Sequence, residues 1–236
     1  MPRRSLPYAL FALALAACGG ADERFPTGED ALPVLATLAD PGSAGARQLR
    51  AGDLAQARAT YEATLGADPD RLAALNDLAV SYYVEGHLEA ARRLLEEVVA
   101  SGGPHEQQTA LLNLGQLYAL DGYADAAQAY LESARGIDPE GPEPLYAQAL
   151  LADLRGDGAA ARALVDEAVR LDPDGAARAS FVYVHPEERQ HLEALIAEAS
   201  GDRAAAHALW RELAESRFAS VVAAAGRRVA LPEPAP

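Results

Sequence analysis

Between Leu75 and Val98 the apolar residues recur at steps of three and four: Leu75, Leu78 and Tyr82 before Gly86, then Leu88, Ala91, Leu95 and Val98 after it. That spacing lines up one face of a helix. The same arrangement returns at Leu111, Leu114, Gly115 and Tyr118 before Gly122, and at Ala127, Leu131 and Ala134 after it. Two punctuation marks run in step. Gly52, Gly86, Gly122 and Gly156 are separated by 34, 36 and 34 residues; Pro69, Pro139 and Pro173 each follow one of them by 17, and Pro104 follows Gly86 by 18. Glycine ends a helix without strain where the chain turns to positive φ, and the Asp-Pro pairs at 68, 138 and 172 stop one helix and start the next. Asp53, Asp157 and Asp202 each directly follow a glycine and stand where they cap the next helix. The pattern predicts antiparallel helix pairs repeated along the middle of the chain.

The stretches LLNLGQLYALDGYADAAQAYLESARGIDP, 111–139, and LNDLAVSYYVEGHLEAARRLLEEV, 75–98, resemble tetratricopeptide repeats. Gly115 and Ala79 stand where the two helices of such a pair cross, facing Ala127 and Ala91, and only small side chains permit that approach. The resemblance implies an all-α fold, a right-handed solenoid of helix-turn-helix repeats with a C-terminal capping helix. It covers 39–173 as about four pairs and fades at both ends. The unit ending at Pro69 has a short first helix, roughly 43–51, interrupted by Pro41 and Gly42; the unit ending at Pro173 has Gln148 and Ala152 where Leu and Tyr belong. Residues 187–230 hold a fifth pair, with Gly201, Ala206 and Trp210 in register, and a capping helix such as a solenoid needs at an exposed end. Between them, 174–186 is an irregular insertion. Its FVYV, 181–184, reads either as a strand-like docking element or as a connector packed under the last pair. The tail, 231–236, is expected to be disordered.

In this family the first helices of successive pairs line a concave groove that holds an extended peptide or a partner helix. The family's groove positions correspond to Asn76, Val80, Tyr83 and Val84, to Leu112, Asn113, Gln116 and Leu120, and to Tyr146, Leu150, Asp153 and Leu154. Eight of the twelve are Val, Leu or Tyr and none is basic. The carboxylate clamp of the chaperone-binding members is therefore missing, and the groove suits an apolar or amphipathic segment of a protein partner.

The N-terminus carries a different signal. Arg3 and Arg4 precede twelve uncharged residues, LPYALFALALAA, which in a helix span about 18 Å, short of a membrane core of ~30 Å. This is the plan of an export signal. Leu15, Ala16, Ala17 and Cys18 resemble a bacterial lipobox, which implies removal of 1–17 and a diacylglyceryl thioether on Cys18, the only cysteine of the chain. With one cysteine no intramolecular disulfide forms, so the fold stands on its core. Residues 18–38 continue after the cysteine with two glycines, are rich in Gly, Pro and acid, and read as a flexible tether reaching about 20–25 Å. The residue after the cysteine is Gly19, not aspartate, which by resemblance favours the periplasmic face of an outer membrane.

Charge narrows the partners. The formal charge of −15 becomes −17 once Arg3 and Arg4 are removed, which argues against nucleic acid and leaves the Cys18 lipid as the membrane attachment. All 20 basic residues are Arg, so lysine-dependent phosphate loops and Schiff bases are excluded. His87, His105, His185, His191 and His207 form no i,i+4 pair. Glu187 and His191 have that spacing and read as a solvated helix face; DPDG, 172–175, resembles the start of a calcium loop but lacks its closing Glu. No GxSxG occurs. No cofactor and no catalytic residue are expected. The sequence reads as a lipid-anchored interaction scaffold or assembly factor of the bacterial envelope, with a noncatalytic subunit or regulator of an envelope enzyme complex as the alternative.

Overall fold

The computed structural model describes residues 35–229; the export signal, Cys18, most of the tether and the tail lie outside the described residues. Helices pair in sequence: α1 (Ala44–Arg50) with α2 (Leu54–Ala67), α3 (Leu72–Val84) with α4 (Leu88–Ser101), α5 (Pro104–Leu120) with α6 (Ala124–Ile137), α7 (Glu143–Leu154) with α8 (Gly158–Leu171), and α9 (Pro186–Ser200) with α10 (Arg203–Leu213). The last helix, α11 (Ala219–Val229), packs on α10 and α7 and closes that end. The fold is the expected all-α solenoid with a C-terminal cap.

The periodic residues explain the joints. Gly86 and Gly122 turn at φ 81° and 83°, where a side chain is strained. Asp157 and Asp202 cap α8 and α10 by accepting from the Ala160 and Ala205 backbone N–H groups at 2.9 and 3.0 Å. Asp53 makes no such bond. At Gly115 a Cβ would lie 2.8 Å from Leu131 Cδ2, so α5 and α6 cross as closely as a glycine allows.

The two layers of helices differ in a way that matters for the groove. The second helices are amphipathic: α4 buries only Ala91, Leu95 and Val98. The first helices of the three middle pairs, α3, α5 and α7, are buried over most of their length, with every residue from Ala74 to Ser81 of α3, from Gln108 to Leu117 of α5 and from Pro144 to Leu151 of α7 shielded from solvent. A helix buried on all faces needs cover on the face away from its partner.

The cover comes from the chain itself. Residues Ala36–Thr37 (β1) pair antiparallel with Phe181–Val182 (β2), Ala36 opposite Val182 and Thr37 opposite Phe181, after a single 3₁₀ turn at Ala177–Ser180. Leu38 N–H extends the ladder to the Ser180 carbonyl at 2.8 Å. Side chains alternate along β1 as a strand requires. Leu35 enters the cluster built by α7 to α11, while Ala36 and Leu38 enter the cluster built by α1 to α5. The strand thus joins the two halves of the core. The tether reading of 18–38 is corrected for its last four residues: Leu35, Ala36, Thr37 and Leu38 are buried, because two leucines and the ladder bonds supply what the Gly- and Pro-rich part lacks. In 174–186, Phe181 and Val182 are a buried strand, which selects the strand-like alternative for FVYV.

Candidate functional site

The groove is built by α3, α5 and α7, and its polar groups converge on the backbone of β1. Asn113 of α5 accepts the Thr37 N–H through Oδ1 at 2.7 Å and donates through Nδ2 to the Thr37 carbonyl at 2.8 Å. Asn76 of α3 donates to the same carbonyl at 3.2 Å, and its own Oδ1 accepts from Asn113 at 3.0 Å. These are the only two asparagines in the chain. In an antiparallel ladder the N–H and C=O of alternate residues point away from the partner strand. Those of Thr37 point away from β2, and Asn113 takes the place of a third strand.

Asp77 continues the line, accepting the Ala39 N–H at 2.7 Å and the Asp40 N–H at 3.2 Å. Burial pushes its carboxyl up to about 6 despite those bonds and one from Asn76. On the opposite wall Glu188 of α9 accepts the Val184 N–H at 2.6 Å, while its other oxygen has no partner. Burial pushes this carboxyl up to about 8. Burial, and then the Glu188 charge, raise the Tyr83 phenol well above its ordinary range.

Of the twelve groove positions, Asn76, Val80, Tyr83, Leu112, Asn113, Gln116, Tyr146, Leu150 and Asp153 are buried, and Val84, Leu120 and Leu154 are half-buried. Val80, Tyr83, Asn113 and Gln116 share a seam with Ala36. Tyr146 meets Phe181 edge to face at 5.9 Å and donates to Asp172 at 3.2 Å. Asp153 belongs elsewhere. It lies between α7, α9 and α11, 2.6 Å from His191 Nε2 and 2.6 Å from an Arg228 nitrogen that donates to it. Burial alone would raise its carboxyl, but the bonds from His191 and Arg228 hold it below the usual range. Arg228 also donates to Glu198 at 3.0 Å and lies 4.2 Å above the Trp210 ring.

This network corrects the solvated-face reading of His191. Its side chain is fully buried, because the capping helix and Trp210 close over α9, while Glu187 remains half-exposed. Thr37, Asp77, Glu188 and His191 are the residues that sequence reasoning missed. The pairing of the two asparagines across adjacent repeats was the available signal, since each matches a family peptide-contact position. Among the described residues no group of three or more His, Cys, Asp or Glu side chains is placed to hold a metal, and Leu171 and Val222 are the large apolar side chains left exposed.

The fold and groove define a helical-repeat interaction module whose concave face holds an extended strand. Comparison with known proteins gives the repeat type: tetratricopeptide-repeat family models match residues 48–115 and 108–140. Residues 48–140 therefore carry tetratricopeptide repeats. Among solved structures it is similar to a thermophilic TPR protein of Thermus thermophilus, at 18% identity and TM-score 0.56, covering 81% of this chain and 98% of that one. It is also similar to a chain of the APC/C hetero-tetramer Cut9–Hcn1, at 18% identity and TM-score 0.54, covering 71% of this chain and 31% of that one. The structure of MamA aligns at 20% identity and TM-score 0.44, covering 80% of this chain and 98% of that one. A search of curated protein sequences finds no match. At these identities the likeness is one of fold. Repeats of this kind are in general noncatalytic scaffolds that bind other proteins.

Proposed function

We propose that this protein is a noncatalytic, lipid-anchored scaffold or assembly factor of the bacterial envelope, held by Cys18 at the periplasmic face of an outer membrane. The observation that carries the interaction role is the groove itself, where side chains from successive repeats bind the backbone of an extended segment through Asn113, Asn76 and Asp77. The envelope location rests on the sequence alone: Arg3 and Arg4, the uncharged run to Ala17, and Leu-Ala-Ala before Cys18. An acidic chain gains nothing from anionic headgroups, so membrane attachment falls to the lipid.

Anchoring is tested by detergent partition of the wild-type chain beside Cys18→Ser. The wild type enters the detergent phase and the variant stays aqueous; equal partition rejects the anchor. The scaffold role is tested by affinity purification from solubilised membranes, which recovers a stoichiometric protein partner. Recovery of the chain alone counts against it.

A further inference from the structure

The groove of this chain already contains an extended segment, and the way it is held describes what else fits. Every polar bond to Thr37, Ala39 and Asp40 from α3 and α5 goes to main-chain atoms. The Thr37 hydroxyl has no partner. Contacts of this kind read the extended shape of a segment and tolerate changes of side chain, leaving selectivity to the apolar positions. Those are Leu35 and Leu38, three residues apart and both buried.

The arrangement also leaves a polar atom stranded at the seam. Gln116 Nε2, which lies beside Ala36, is buried without a partner. It is a cost of the occupied groove that a better-matched segment removes.

We infer that residues 35–40 are a built-in stand-in for a partner, and that the groove takes by exchange an extended protein segment with two uncharged apolar residues three apart, added antiparallel to Phe181–Val182. This rests on the scaffold reading above and names the partner's chemistry. The stand-in is part of the same chain, so it competes at an effective concentration in the millimolar range for short flexible connections. A free peptide therefore binds weakly until the stand-in is weakened.

The test uses the full chain carrying Cys18→Ser and a fluorescein-labelled peptide of sequence LATLAD. Thr37→Pro removes the N–H that Asn113 accepts, and this variant binds the peptide at least tenfold more tightly than the parent. A folded Thr37→Pro chain, checked by its helical circular dichroism, with no gain in affinity overturns the proposal. Hydrogen exchange on the parent chain decides the matter if that variant does not fold. Amides of residues 37–40 exchange at least tenfold faster than those of 112–117, through an opening that leaves the helices closed. Exchange of both sets at one common rate makes the strand a permanent part of the core and refutes exchange of segments. A protein partner recovered from membranes alongside a negative peptide result keeps the scaffold reading and removes only this one.

Discussion

Replacing Asn113 by alanine isolates the bond on which the groove's reading of backbone depends. The change leaves the Thr37 N–H, now 2.7 Å from an acceptor, buried with none, and removes one of two donors from the Thr37 carbonyl. An unsatisfied buried donor costs about 1–3 kcal/mol and a lost bond about 1 more, so Asn113→Ala destabilises by about 2–4 kcal/mol. Asn76→Ala is milder by about 1–2 kcal/mol, because the carbonyl keeps its shorter bond to Asn113 and the N–H keeps its acceptor. In urea, with a slope of about 2 kcal/mol/M, Asn113→Ala lowers the midpoint by about 1–2 M. Gln128→Ala serves as control, since it removes only an exposed bond to Glu132. Asn113→Asp adds a sign: it keeps an acceptor for the N–H but turns a carboxylate towards the Thr37 carbonyl and Asn76 Oδ1. Its loss is larger at pH 7 than at pH 5. An Asn113→Ala midpoint within about 0.3 M of the Gln128→Ala control, equivalent to about 0.6 kcal/mol, refutes the reasoning.

Three further outcomes are expected. Glu188 and Asp77 have carboxyls pushed up to about 8 and about 6, so these two groups hold more protons in the folded chain than in the unfolded one between about pH 4 and pH 8, against a smaller opposite contribution from His185, whose burial lowers its imidazole. Stability therefore falls as pH rises through this window; Glu188→Gln flattens the upper part of the slope, and a thermal-melt series with the same slope in both chains contradicts the assignment. Gly115→Ala forces a Cβ to 2.8 Å from Leu131 and costs about 1–3 kcal/mol, whereas Gly66→Ala in α2 meets nothing within 4 Å and stabilises by up to about 1 kcal/mol; equal melting points for the two variants count against the close crossing of α5 and α6. Asp153→Ala strands buried His191 and mostly buried Arg228 and costs about 3–5 kcal/mol, read as an early loss of Trp210 fluorescence change in denaturant. A cost below about 1 kcal/mol removes the network from the list of what holds the capping helix.

The helix pairs were legible because their signals are local. Gly86 and Gly122 mark turns that only positive φ satisfies, and the three- and four-residue steps around them mark the buried faces. The apolar character of the groove was legible too: α3 has Asp77 as its one charged residue, and α5 has none after Glu106. What covers the groove was not. β1 is two residues long and its partner β2 lies beyond eight helices of sequence, so no periodicity joins them. LATLAD follows a Gly- and Pro-rich stretch whose composition argues for a tether, and the burial of Leu35 and Leu38 depends on walls built by distant repeats. Asp153 and His191 were misplaced for a related reason. Family positions and i,i+4 spacing locate a residue on its own helix, while α11 and Trp210, which fold over them, come from the far end of the chain.

The central claim is that residues 35–38 lie in the concave groove against 181–182, and a cross-link tests it directly. Ala36 and Val182 are opposite one another in the antiparallel pair, where Cα atoms about 5.5 Å apart accept a disulfide. In a Cys18→Ser chain carrying Ala36→Cys and Val182→Cys, mild oxidation forms the intramolecular disulfide quantitatively under native conditions, and the yield collapses in concentrated urea. Two thiols that stay free in the native chain and react with iodoacetamide as fast as in urea contradict the occupied groove.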